Sequence, residues 1–239
     1  MNRRRLGVVL VALGVLLVAY AATVVFWRDP ATDLYARWKQ HSLNEALEVA
    51  FAEQEPIVDS ARVGGEFVLG AVSKEELRAA EKLAVARAAN ELHAKLKLGK
   101  ALGRLTVPRL GLKTVFVQGT RWGPDLSQGP GHFPETSLPG VGRTMAIAGH
   151  RTTFGAPFRH IDSLRRDDPI TVALPYATFH YRVFAHEIVD NDDWSIIRDR
   201  GFDTLVLSAC HPLYSAKQRW VVFARLVRVD PAGGTPYAV

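Results

Sequence analysis

Along this chain of 239 residues the spacing of apolar positions changes character three times. Residues 6–26, LGVVLVALGVLLVAYAATVVF, carry no charge. As a helix, a run of this length rises about 31 Å, the thickness of a bilayer's hydrocarbon core. Arg3, Arg4 and Arg5 precede it, and basic residues favour the cytoplasmic side. Residues 1–5 are therefore expected to be a cytoplasmic tail, residues 6–26 a single membrane span, and all that follows extracellular. A cleaved signal peptide is the competing reading, because Ala19-Tyr20-Ala21 resembles a small-x-small cleavage site. The apolar run continues past that tripeptide and ends at Trp27–Arg28, a pair suited to a membrane interface, which favours a retained anchor.

Between residues 27 and 100 the period becomes helical. DLYARWKQHSLNEALEVAFAEQ has helical spacing. In SKEELRAAEKLAVARAANELHAKLKLGKAL, Leu77, Ala80, Ala84, Ala88 and Leu92 fall on one face, and Ser73 with Glu76 forms a candidate capping box. PIVDSARVGGEFVLGAV, with Gly64–Gly65, separates the two segments as a break. This region could pack on the rest of the protein, pair with a partner, or act as a stalk, and stalk-like spacing is the default.

From residue 101 to about 230 the pattern switches again, to short β-like runs separated by Gly, Pro and Asp. RLTVPRL, KTVFVQG, RTMAIAG, PITVAL, TFHYRVFAHEIV, DTLVLSA and RWVVFARLVRV are the candidates. In the fifth, Phe179, Tyr181 and Val183 alternate with polar neighbours, as a half-buried strand requires. Runs this close together, with little helix between them, predict a mainly β domain: a closed or nearly closed barrel, or a sandwich. FRHIDSL and DDWSII read as short helices in the crossovers, and residues 231–239 as a flexible tail.

Composition alters this picture little: 48% hydrophobic and 23% charged residues are ordinary for a globular protein. The net charge of +6 is scattered apart from the opening arginines, which argues against a nucleic-acid-binding stripe. The cysteine count changes more. Cys210 is the sole cysteine, and secreted domains usually carry theirs in pairs. A lone thiol outside the membrane is intermolecular, unimportant or chemically used.

A thiol becomes a strong nucleophile only as thiolate, and acyl transfer needs a donor where the carbonyl oxygen gains charge. Cys210 ends one strand-like run, His150 follows another, and Arg219 begins a third. If those strands are neighbours, the three side chains converge at one rim. Taken singly each has a plainer reading: a small buried residue, a structural histidine, a surface arginine. His132 in GPGHFP could line a substrate groove or bond loop backbone. His211 would face away from Cys210 if the strand continued. No His/Cys/Asp/Glu spacing suggests a metal site, and Asp190, Asp192 and Asp193 read as a solvated loop rather than a calcium site.

GPGHFPETSLPGVGRTMAIAGHRTTFGAPFRHIDSL followed by LVLSACHPLYSAKQRWVVFARL resembles the sortase family, membrane-anchored cysteine transpeptidases found mainly in Gram-positive bacteria. The resemblance covers about residues 103–229, includes the order His, Cys, Arg, and is nearest to the class E sortases of actinobacteria. It implies a closed β-barrel of about eight strands with short helices. Cys210 would be the nucleophile, His150 the general acid and base, and Arg219 the oxyanion and substrate ligand. The family's Thr-Leu-x-Thr-Cys reads Val206-Leu207-Ser208-Ala209-Cys210 here, so Ala209 and Ser208 stand where substrate contacts are expected. No cofactor is implied. The implied partners are secreted proteins bearing C-terminal LPXTG- or LAXTG-like sorting signals, cleaved between Thr and Gly. The implied acceptor amine belongs to a peptidoglycan precursor or, in a pilin-polymerising sortase, to a lysine. No Asp-Pro-Trp-type lid is visible near residues 60–100, which favours anchoring. A non-catalytic, membrane-anchored peptide-binding β-domain is the reading from another class. An L,D-transpeptidase would place Ser-His-Gly before its cysteine, where this chain has LSAC.

Overall fold

The structure is a computed structural model that describes residues 3–26, 29–57, 62–63, 66–67 and 73–239. Each of the seven β-like runs becomes a strand or most of one. They are β1 (Ala101–Val107), β2 (Leu112–Gln118), β4 (Thr144–Gly149), β5 (Pro169–Leu174), β6 (Ala177–Asp190), β7 (Thr204–His211) and β8 (Gln218–Pro231). The same sheet has two further strands, each only two residues long: β3 (Gly131–His132) and β9 (Tyr237–Ala238). The order around the sheet is β8-β6-β5-β1-β2-β3-β4-β7, and pairing of β7 with β8 closes it into an eight-stranded barrel. Full closure leaves no edge strand to aggregate. Two neighbouring pairs are parallel, β2 with β3 and β4 with β7; the other neighbours in the ring are antiparallel.

The pleat sorts the side chains. In β6, Ala177, Phe179, Tyr181 and Val183 point into the barrel and are buried. β7 is buried on both faces: Leu205, Leu207 and Ala209 join the barrel core, whereas Val206 joins a second cluster with Ala146, Ile196, Val221 and Phe223. This explains its continuous apolar sequence, VLSA between Leu205 and Cys210 included, since a strand covered on both sides cannot alternate. Short 3₁₀ helices, Ile161–Ser163 and Trp194–Ile197, occupy the two expected crossovers.

Three helices precede or cover the barrel. α1 (Arg3–Phe26) contains the apolar run, whose most hydrophobic stretch within Arg3–Val24 is not buried against the rest of the protein. The Trp27–Arg28 pair lies outside the described residues. α2 (Pro30–Ala52) starts at a cap in which the Asp29 carboxylate accepts from the Ala31 and Thr32 amides, with Pro30 at the first position. α3 (Lys74–Lys95) begins at the expected Ser73–Glu76 capping box. The Gly64–Gly65 break lies outside the described residues, although Arg62–Val63 and Glu66–Phe67 pair across it as a small hairpin.

The default of a free stalk does not hold for α2 and α3, because both dock on the barrel. Leu43 and Leu47 of α2 pack on Val115 and Val117 of β2. Gln40 serves β2 as an adjoining strand would. Its amide nitrogen donates to the carbonyls of Val115 (2.9 Å) and Gln128 (2.7 Å), and its carbonyl oxygen accepts from the Val115 amide (2.8 Å). On α3 the buried line is Glu81, Val85 and Ala89, with Ala88 and Leu92 at its margin. That face is rotated by one position from the alanine line read in the sequence, and Val85 packs so closely on Gly140 that a Cβ there would meet its Cγ1 at 2.5 Å. The expected loose tail is likewise shortened. β8 runs to Pro231, and β9 pairs with it through Val229–Tyr237 and Arg228–Ala238, with the Thr235 amide donating to buried Glu81 (2.8 Å).

Candidate active site

Strand parity places the three chemical groups. Ala146 and Ala148 in β4 lead to His150, Val206 and Ser208 in β7 lead to Cys210, and Phe223 and Val221 in β8 lead back to Arg219. The apolar members of these series form the second cluster, outside the barrel core, so Cys210 and Arg219 continue its face. Cys210 and Arg219 are direct partners in the β7–β8 register, and Gly149 is the partner of Ala209 in the parallel β4–β7 pair. Side chains of directly opposed residues lie about 5 Å apart at Cβ. All three groups line one groove of about 300 Å³ on the outer face of β4, β7 and β8. Its walls are aromatic and apolar: Trp122, Phe133, Trp194 and Ile196. Trp122 and Trp194 are 71% and 62% exposed, so large apolar surface stands open at the rim.

His150 is 8% exposed, and its Nε2 has no hydrogen-bond partner among the described residues. Burial lowers its pKa from the ordinary histidine value, because desolvation penalises the charged ring. Phe154 lies 5.3 Å from the imidazole, centroid to centroid, and Trp122 meets it edge-on at 6.4 Å. Gly149, immediately before it, is required for packing: a Cβ there would approach the Phe158 ring to 2.5 Å. The loop that follows makes a tight left-handed turn through Phe154 (φ 50°), Gly155 (φ 76°) and Ala156 (φ 42°). Left-handed backbone costs about 1–2 kcal/mol for a residue with a Cβ, so two such residues in a row of three must be held by their surroundings.

Arg151 supplies part of that hold. It is 3% exposed and pairs with Asp162 at 2.7 Å. Its Nε and Nη2 donate to the Arg159 carbonyl (both 3.2 Å), closing the loop, and its Nη1 donates to the Cys210 carbonyl at 3.4 Å. One buried guanidinium thus joins the histidine loop to the strand that carries Cys210. Arg219 donates through Nη1 to the carbonyls of Ala216 (2.9 Å) and Gln218 (3.0 Å) in its own turn.

The other residues singled out in the sequence divide. Ser208 borders the groove and shares the parity of Cys210. Ala209 borders it too, but its side chain belongs to the barrel core. A substrate contact through its methyl is therefore disfavoured. His132 is not a groove residue: it is fully buried in β3, with Nδ1 2.7 Å from Gln118 Oε1 and Nε2 3.0 Å from Thr136 Oγ1. Burial pushes its pKa down to about 4. His211 lies outside the groove, its ring 5.5 Å from Trp220 and its Nδ1 3.4 Å from Arg151 Nη1. Asp193 caps the Trp194–Ile197 turn by accepting from the Ser195 amide. Among the described residues no group of three or more His, Cys, Asp or Glu is placed to hold a metal. Sequence reading missed the aromatic walls and Arg151. Trp122 and Trp194 stood in polar Gly/Pro/Asp-rich stretches where a tryptophan has little structural reason to be, which is the signal that could have found them.

This geometry agrees with what the chain resembles among known proteins. The Sortase domain family matches residues 105–227, slightly more than half of the sequence. Sortase D of Bacillus subtilis is 29% identical over 161 residues, 66% of this chain and 79% of its own length. Sortase SrtE1 of Streptomyces coelicolor is 27% identical over 157 residues, a match that spans 59% of this chain but only 45% of SrtE1. Among solved structures, sortase E1 from S. coelicolor with a tripeptide in its active site superposes with a TM-score of 0.53 at 26% identity. That match covers 56% of this chain and 91% of the solved one. The SrtA sortase of Actinomyces oris gives 0.54 at 28% identity, covering 60% and 89%. A closed barrel with a lone cysteine facing histidine and arginine across paired strands, matched over its length by these proteins, makes the chain a class E-like member of the sortase family, the cysteine transpeptidases.

Proposed function

We propose that the protein transfers secreted polypeptides from a C-terminal LPXTG- or LAXTG-like sorting signal to an amine of the cell wall, with Cys210, His150 and Arg219 as its working groups. The observation that carries this reading is the convergence of sulfur, imidazole and guanidinium on one outer face of β4, β7 and β8. Cys210 thiolate attacks the threonine carbonyl carbon, and Arg219 stabilises the oxyanion with a charge that persists at any working pH. The C–N bond to glycine then breaks, and protonated His150 gives its proton to the leaving amine, leaving a thioester on Cys210. An incoming amine attacks that thioester, His150 takes its proton, and the thiolate is released.

The apolar walls suit the aliphatic residue that begins such a signal. The uncovered α1 suits a single-pass anchor with the catalytic domain outside the cell, in the manner of a Gram-positive sortase. The turn after Cys210 reaches α1, where the Tyr214 hydroxyl donates to the Val24 carbonyl at 3.4 Å, a contact that suits a groove close to the bilayer surface.

The test is incubation of the protein with a sorting-signal peptide and candidate amines, followed by mass spectrometry. Cleavage at Thr–Gly with amine incorporation is expected. Cys210→Ala and His150→Ala are each expected to abolish it while keeping the fold, and product formation by either variant would sink the assignment of roles. A pilin lysine as the preferred acceptor would indicate polymerisation rather than wall anchoring.

A further inference from the structure

We infer that the first two turns of α2 hold the His150 side chain in its working orientation through Phe154, making Thr32 and Tyr35 positioning residues of the transfer reaction. The inference rests on the acid–base role of His150 proposed above.

Phe154 is the nearest ring to the imidazole, and its backbone is left-handed. The loop's own bonds, Ala156 amide to Thr153 carbonyl (2.9 Å) and Phe158 amide to His150 carbonyl (3.0 Å), close the turn but do not fix where the Phe154 ring lies. Two contacts to α2 contribute to that, beside the Trp122 ring 6.4 Å away. The Phe154 amide donates to Thr32 Oγ1 at 3.1 Å, and the Phe154 ring meets Tyr35 edge-on, with centroids 6.1 Å apart. Thr32 spends its single hydroxyl proton on the Asp29 carbonyl (3.3 Å), so its lone pairs are turned to the loop. Gly155 passes directly over Ala36, where a Cβ would come within 3.4 Å of the alanine methyl. Tyr35, Phe154, His150 and Trp122 form a continuous path of ring contacts from the helix that follows α1 to the edge of the groove.

These contacts are separate from those that dock α2. Docking uses Gln40, Leu43 and Leu47, one to three turns further along, whereas Tyr35 is 38% exposed and Thr32 half-buried. Altering Thr32 or Tyr35 is therefore expected to leave the docked helix in place and to act chiefly on the loop. Left-handed residues persist at functional sites where the surroundings over-determine them, and here part of that surrounding is supplied by a segment outside the barrel.

The experiment uses the full chain in nanodiscs with a fluorogenic sorting-signal peptide and an amine. Thr32→Val keeps the shape but removes the acceptor for the Phe154 amide; Thr32→Ser restores it. Thr32→Val is expected to lower kcat about ten-fold, since displaced catalytic groups lose rate steeply. KM and melting temperature are expected to stay near wild type, and amide exchange across residues 151–156 to quicken. Thr32→Ser is expected to recover both kcat and exchange protection. Tyr35→Ala is expected to lower kcat in the same sense. Wild-type kcat in Thr32→Val, faster exchange without loss of kcat, or failure of Thr32→Ser to rescue would each overturn the inference while leaving the transferase reading intact. A wild-type chain that turns over no sorting peptide would remove the transferase reading, and this inference with it.

Discussion

Arg219 and Arg151 carry the same charge to different ends. Arg151 is sealed in and spends its donors on carbonyls and a carboxylate, while Arg219 uses one nitrogen on its own turn and borders the groove. A planar fork at the groove presents several donors in fixed directions, which an ammonium cannot. Arg219→Lys is therefore expected to reduce kcat/KM roughly 100-fold despite unchanged charge, as loss of an oxyanion donor does; steady-state kinetics on the sorting peptide measure it. The two buried histidines differ as well. His132 is held near pKa 4 by burial against an ordinary value of 6.5. Below pH 6.5 the unfolded chain takes up a proton that the folded chain refuses, so stability present above 6.5 is lost as pH falls towards 4. The loss approaches about 3 kcal/mol by pH 4. Urea unfolding at pH 7, 5.5 and 4.5 is expected to show that decline, and His132→Gln to flatten it; an unchanged slope in the variant would assign the decline to other groups.

At the scale of elements, α2 and α3 determine how much of the chain belongs to the domain. Leu47 is 1% exposed against Val115 and Val117. Truncating a fully buried leucine costs about 2–5 kcal/mol through lost transfer energy and the cavity left behind. Leu47→Ala is expected to fall in that range by denaturant unfolding, and a change below about 0.5 kcal/mol, the size of an ordinary surface substitution, would return α2 to the status of a stalk. The helical nature of both segments was legible from period and capping: Ser73–Glu76 is a local signal and forms locally. Their attachment was not legible, because a face of alanines or of Leu43 and Leu47 looks the same whether it meets a barrel, a partner or nothing. β9 escaped for a related reason. Two residues have no period, and Tyr237 is buried only because Val229 and α3 are already there to receive it.

For the whole molecule, closure of the sheet is the deciding event. Cys210 and Arg219 are joined by a short turn, and their opposition follows from the pairing of β7 with β8. His150 is sixty positions earlier in the chain, and it reaches them only because β4 lies parallel to β7. Parallel neighbours require a crossover connection, here residues 150–203, which contain the histidine loop, β5 and β6. The same crossover places Trp194 and Ile196 against the groove. The histidine loop, two of the groove's apolar walls and the strands that close the barrel therefore share one long connection.

The sequence by itself determined the class of the domain, the place of seven of the nine strands of the main sheet, the helical character of residues 30–52 and 74–95, and the apolar segment near the N-terminus, each through local period or local capping. It also offered Cys210, His150 and Arg219 as candidates, a choice carried by resemblance to sortase motifs rather than by spacing. The tertiary structure alone decided that His132 is sealed in the wall, that Ala209 turns its methyl to the core, that α2 and α3 are docked, and that Arg151 ties the histidine loop to β7. The physical reason is that burial and contact depend on which strands close the ring. That pairing joins residues far apart in sequence, and no short window of the chain contains both partners.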